Sequence, residues 1–187
     1  MNKNELRKLM ITKRKLLTPE YKTKANSAIS ANVIDFINKN GFRQICIYLS
    51  TKYEADTGKI IEWCLHNNIK VYVPKVLENN KMVMTLIDNK ADYQLNLFNI
   101  NESKSDILCN IEEIDCIFTP LVAFDNSLNR IGMGKGFYDR FFSENNGNYL
   151  KVGICFDEQK VEKVEIDDTD QSLDFVITER NIYEQVN

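Results

Sequence analysis

Proline and glycine are scarce, at three and seven in 187 residues, and they form no Pro/Gly/Ser linker that would divide the chain. There is one histidine, His66, so imidazole–thiolate metal spacing is not available. The five cysteines, Cys46, Cys64, Cys109, Cys116 and Cys155, are an odd number without a C-x-x-C pair. Four of them sit in apolar runs, which reads as structural thiols in a reducing compartment rather than as a disulfide framework. The longest nearly apolar stretch, Ile117 to Phe124, is eight residues long and is broken by Thr119 and Pro120. That falls far short of the ~20 residues that cross a bilayer. The opening MNKNELRKLMITKRKLL is charged throughout and holds no apolar core of a signal peptide. No repeat and no long block of one charge is present, and 24 basic against 27 acidic residues leave a net charge of −3. That balance argues against nucleic acid and anionic membranes as partners. A cytoplasmic monomer is expected.

What is present suits one globular domain over residues 1–187. A chain of this size buries roughly 70% of the surface its unfolded form exposes. The first sixteen or so residues read as a basic helix with Leu6, Leu9 and Met10 on one face. Thr18-Pro19 combines a capping hydroxyl with proline at the first helical position. Ala25, Ile29, Val33, Phe36 and Ile37 then recur at helical spacing up to Gly41, a natural stop. Gln44–Ser50 reads as a strand, Thr57 to Asn68 as a helix and Lys70–Val76 as a strand. Met82–Ile87 and Ile114–Thr119 follow as strands, and Leu95–Ile100 suits either strand or helix. Phe137–Glu144 is helical, and Lys151–Phe156 and Leu173–Thr178 close the series. The alternation predicts an α/β fold: a three-layer α/β/α domain with a central, mostly parallel sheet.

Three of the seven glycines fall within five residues, in Arg130-Ile131-Gly132-Met133-Gly134-Lys135-Gly136-Phe137-Tyr138-Asp139-Arg140. Alternating glycines let successive backbone N–H groups converge on an anion, and the helix that follows adds its own free N–H groups. Lys135 and Arg130 supply cations, so the segment reads as a phosphate cradle. It is not a Walker A loop, because Gly136 follows Lys135 where Ser or Thr would be required. Nor is it a dinucleotide fingerprint, since the spacing is G-x-G-x-G.

Thr119–Asp125 (TPLVAFD) and Asn129–Phe142 (NRIGMGKGFYDRFF) resemble the signature of the 5-formyltetrahydrofolate cyclo-ligase family, also called methenyltetrahydrofolate synthetases. Lys3, Arg7 and Arg14 resemble its opening helix in spacing, with Leu17-Thr18 and Ser27 after them. Tyr48-Leu49 with Glu54, Val73-Pro74-Lys75-Val76, Gln159, Asp170, Asp174 and Val176–Glu179 continue the likeness. The resemblance implies ATP- and Mg²⁺-dependent cyclisation of a reduced folate, 5-formyltetrahydrofolate, with ADP and phosphate released. It implies an ATP site at Lys3, Asn4, Glu5, Leu6 and Arg7 and over Arg130, Ile131, Gly132, Met133, Gly134, Lys135, Gly136, Phe137 and Tyr138. It also implies a substrate site at Leu49, Glu54 and Met133 to Phe137, with Asp139 and Asp170 on magnesium. Lys135 is the expected catalytic residue, and Asp139→Ala is expected to lose turnover with the fold intact. Two departures stand out: Phe137 where many members carry tyrosine, and Ser103 after Glu102 where proline is usual. Two rivals stay open: a folate- or nucleotide-binding module without turnover, and an ATP-independent sugar-phosphate isomerase or acyl-transfer enzyme on a similar scaffold.

Overall fold

The computed structural model describes residues 1–88, 93–95 and 101–185. The elements are α1 (Lys3–Lys15), α2 (Pro19–Asn40), β1 (Gln44–Ile47), α3 (Gly58–His66), β2 (Lys70–Val76) and β3 (Met82–Ile87). They continue with β4 (Tyr93–Leu95), β5 (Asn101–Ser103), β6 (Cys116–Pro120), β7 (Ala123–Phe124) and β8 (Arg130–Ile131). Then come α4 (Phe137–Glu144), β9 (Leu150–Ile154), β10 (Phe175–Ile177) and β11 (Ile182–Glu184). The reading of Leu95–Ile100 meets β4 at Leu95, and residues 96–100 lie outside the described residues.

Among the described residues, seven strands form the central sheet in the order β11-β10-β9-β6-β1-β2-β3. The five inner strands pair in parallel, and the two edge strands, β3 and β11, are antiparallel. Side chains alternate between two covered faces, as a sheet with helices on both sides requires. Ile45, Ile47, Val71, Val73, Cys116 and Phe118 join the core beneath α2 and α3. Their neighbours Cys46, Tyr72 and Ile117 join Phe141 and Phe142 of α4 on the other face. The three-layer α/β/α reading therefore holds. No helix of the described residues is long and apolar enough to cross a membrane.

Local chemistry explains the helix ends. The Thr18 side chain accepts the Tyr21 N–H at 3.2 Å and Pro19 opens α2, while Gly41 closes it at φ 67°. An Asn2–Glu5 capping box starts α1. Its buried stripe is Leu6, Met10 and Arg14, and Leu9 is 52% exposed. Leu9 therefore leaves the face expected for it, because steps of four residues follow the docked stripe more closely than a step of three. Leu6 and Met10 pack on Val122, Ala123, Ile131 and Val164, which seats α1 across the β7–β8 hairpin. Two-residue strands such as β7 and β8 leave no periodicity in the sequence, and the reading above lacks them, as it lacks β11.

Cys46, Cys64, Cys116 and Cys155 are buried and Cys109 is half-buried, all as free thiols. Burial raises the first four, Cys64 to about 12.

Gly153, in the middle of β9, has no room for a side chain. A Cβ there would lie 2.5 Å from Leu121 Cδ2 and 2.7 Å from Leu173 Cδ1, both buried. Gly153→Ala is expected to destabilise the protein by about 1–3 kcal/mol through overpacking, read as a lower urea midpoint with an unchanged slope.

Candidate active site

The chain runs outward from β1 to β2 on one side and later returns to β6 on the other side of β1. Crevices at such switch points, outside the carboxyl ends of parallel strands, are where open α/β sheets bind ligands. A cavity of about 900 Å³ opens there. Tyr48 and Leu49 follow β1 into its wall, Pro74 and Val76 come from the end of β2, and Pro120 and Leu121 from the end of β6.

The glycine loop forms much of the wall, with every residue from Arg130 to Arg140 lining the cavity. Gly134 (φ 89°) and Gly136 (φ 64°) occupy the left-handed region that glycine tolerates without strain. A Cβ on Gly134 would also come within 3.3 Å of the Arg7 guanidinium carbon. Gly132 differs, since a Cβ there would meet nothing within 4 Å, which leaves open space beside its backbone. Gly136 caps α4 without any side-chain hydrogen bond, so the first N–H groups of that helix are not taken by a capping side chain. Lys135 is exposed at this end.

The loop is fastened at both ends. Arg130, 8% exposed, pairs with Asp139 at 3.0 Å and also donates to the Gln171 carbonyl. Asp139 accepts the Gln171 N–H at 3.1 Å, which draws the turn over residues 167–171 against the first turn of α4. From above, Arg7 donates to the Gly132 carbonyl at 2.8 Å and to Asn4 at 2.5 Å. Lys3 bonds Asp167 at 2.6 Å and also bonds Asp170. Burial works against the Lys3 charge, but the two carboxylates prevail and raise its pKa.

Leu49 and Glu54 stand on the segment between β1 and α3. The buried Thr57 hydroxyl donates to the Tyr48 carbonyl at 2.8 Å, and Ser50 donates to Asp56 at 3.1 Å. Glu54 accepts the Thr51 N–H at 2.8 Å, and its own N–H returns to the Thr51 carbonyl at 3.1 Å. Burial pushes the Tyr48 and Tyr138 phenols up, and the nearby Glu54 carboxylate adds to both shifts. Glu54 thus shares one pocket with the aromatic start of α4.

Most residues singled out from the sequence therefore meet in one cavity: Lys3, Arg7, Leu49, Glu54, the whole of Arg130–Tyr138, Asp139 and Asp170. Asn4, Glu5 and Leu6 stand outside its lining. Asn4 accepts from Arg7, Glu5 completes the helix cap, and Leu6 is core. Among the described residues, no group of three or more acidic, histidine or cysteine side chains forms a metal cage. Asp139 and Asp170 both line the cavity, where Asp139 is paired with Arg130 and Asp170 with Lys3. Magnesium commonly takes one or two carboxylates, with substrate phosphates and water completing its shell. Sequence reasoning assigned no role to Arg14 or to Asp167 and Asp168, which also line the cavity. Asp167 and Asp168 read only as part of a turn, and Arg14 as one more basic residue of a charged helix.

A family model described as the 5-formyltetrahydrofolate cyclo-ligase family matches residues 1–179. A 5-formyltetrahydrofolate cyclo-ligase of Mycoplasma genitalium is 31% identical over 179 residues, covering 95% of this chain and 98% of the relative. The solution structure of Aquifex aeolicus 5,10-methenyltetrahydrofolate synthetase superposes with a TM-score of 0.87 at 29% identity, covering 100% of this chain and 94% of that one. The corresponding Mycoplasma pneumoniae synthetase gives 0.79 at 26% identity, with 96% and 99% covered. A match over nearly the whole length, on a fold whose cavity gathers the signature loop, means that the chain belongs to the 5-formyltetrahydrofolate cyclo-ligase family of enzymes.

Proposed function

We propose that this chain, working as one domain over residues 1–187, converts 5-formyltetrahydrofolate and ATP into 5,10-methenyltetrahydrofolate, ADP and phosphate with Mg²⁺. The observation that carries this reading is the meeting of the glycine–lysine loop and Glu54 in one cavity of about 900 Å³. That volume lies near the upper end of single-ligand sites, which suits two substrates held side by side.

The chemistry asks little covalent work of the protein. A formamide oxygen is a poor leaving group, so it first attacks the γ-phosphorus of ATP and ADP leaves. The neighbouring folate amine then attacks the activated carbon, loses its proton, and phosphate departs with the former formyl oxygen. What such steps need is alignment and a place for moving negative charge. Lys135 and the α4 N-terminus supply positive charge at the transferring phosphoryl group, with Arg7 and Lys3 above them. Glu54 accepts paired N–H groups from the pterin and fixes the folate. Asp139 and Asp170, together with ATP, would hold magnesium, which would supply screening of the phosphate charge.

Three predictions test this reading. Methenyltetrahydrofolate absorbance should appear only with 5-formyltetrahydrofolate, ATP and Mg²⁺ all present; product without nucleotide would overturn the mechanism. Lys135→Ala, on an exposed loop, should fold normally and lose roughly a hundredfold in kcat; full activity would remove Lys135 from the chemistry. Asp139→Ala removes the carboxylate partner of a buried Arg130, so it should also cost about 2–3 kcal/mol in urea unfolding. This amends the expectation of an intact fold, and Asp139→Asn, which keeps an acceptor, should lose less stability while still losing turnover.

A further inference from the structure

Arg14 is a cavity-wall residue to which the roles above give nothing to do. It lies on α1 eleven residues after Lys3 and seven after Arg7. At helical geometry these three side chains leave the axis within about 40° of one another, in a stripe about 16 Å long. All three line the cavity. Their partners differ. Lys3 holds two carboxylates and Arg7 a carbonyl and an amide oxygen. Arg14 is only 5% exposed, its Nε has no hydrogen-bond partner, and among the described residues no carboxylate pairs with it.

Among the described residues its one side-chain hydrogen bond runs from Nη1 to the Leu121 carbonyl at 3.3 Å. That oxygen is already served at 2.7 Å by Gln159 Nε2, so capping Leu121 does not require Arg14. The titratable groups that feel its charge, Tyr48 and Cys155, are held neutral by burial. Arg130 gives the internal contrast: equally buried, it has a carboxylate, a carbonyl and the Phe142 ring at 5.5 Å. A buried guanidinium with an orphan donor is costly to the empty protein. The cost is recovered when a ligand brings an anionic oxygen, and Arg presents a fork suited to one.

We propose that Arg14 is a further substrate-binding residue, donating to an anionic oxygen of the bound ligands where β1 and β6 open into the cavity. The proposal rests on the cyclo-ligase reading only for the identity of those ligands, ATP phosphate or reduced folate. The test uses the full chain as wild type, Arg14→Met and Arg14→Lys. Calorimetric titrations with Mg²⁺ and a non-hydrolysable ATP analogue, and separately with 5-formyltetrahydrofolate, give affinities; thermal unfolding without ligand reports any structural role. Arg14→Met should melt no lower than wild type and lose at least about tenfold in affinity for one of the two ligands. The ligand affected names the source of the oxygen. Arg14→Lys, which keeps charge without the fork, should lose less, and it carries the test if the methionine variant does not fold. Both ligands binding the variants within twofold of wild type would overturn the proposal, and a lowered melting point beside unchanged affinities would assign Arg14 to the scaffold. A wild-type protein that binds neither ligand would instead overturn the cyclo-ligase reading, whatever the variants do.

Discussion

The pair between the buried Arg130 and the half-buried Asp139 is the contact on which the site depends. Its two residues bracket the glycine loop, so a 3.0 Å ion pair closes the loop into a ring at its base. The loop has little packing of its own, with residues 132 to 135 all exposed, and a segment so exposed needs its ends fixed from outside. Gln171 joins the same knot through both its carbonyl and its N–H, and the adjacent Asp170 then holds Lys3. One cluster of charges therefore ties β8, α4, the turn over residues 167–171 and α1 together. Because Asp139 is also a carboxylate proposed for magnesium, the residues that shape the loop overlap with those proposed to balance phosphate charge.

The same economy appears along α1. Leu6 and Met10 dock the helix on the β7–β8 hairpin, and Lys3, Arg7 and Arg14 on nearly the same side look along the cavity. A helix that is both core and wall cannot shift without opening the site. Its seating is secured by apolar burial in the middle and by charge near its start, a mixture more sensitive to ionic strength than a wholly apolar contact.

How much of this could be read from the sequence depended on the kind of signal. β2 and β3 were legible to the residue because both strands are apolar runs with clear ends. α2 was legible because Thr18, Pro19 and Gly41 mark its limits chemically. The glycine loop was legible because G-x-G-x-G with lysine has few other uses. The mostly parallel direction of the sheet followed from the alternation of helices and strands, but the order of the strands did not, since it arises from long-range pairing that no local pattern encodes. The hairpin of β7 and β8 was too short for periodicity, and Leu9 shows that an apolar residue near a stripe need not join it. Arg14 marks the limit most clearly: among Lys13, Arg14 and Lys15, only the fold decides which cation is buried.

The thiols of the core carry one more consequence. Cys46 and Cys116 lie on the neighbouring strands β1 and β6, Cys64 lies beneath them on α3, and Cys155 follows β9. Each is covered and protonated in the native protein, so an alkylating reagent has no thiolate to attack there. Reaction must await an opening of the sheet, so the rate at which these four positions acquire label would time that opening. The chain thus carries internal clocks in its central strands and on one flanking helix, wound by burial alone.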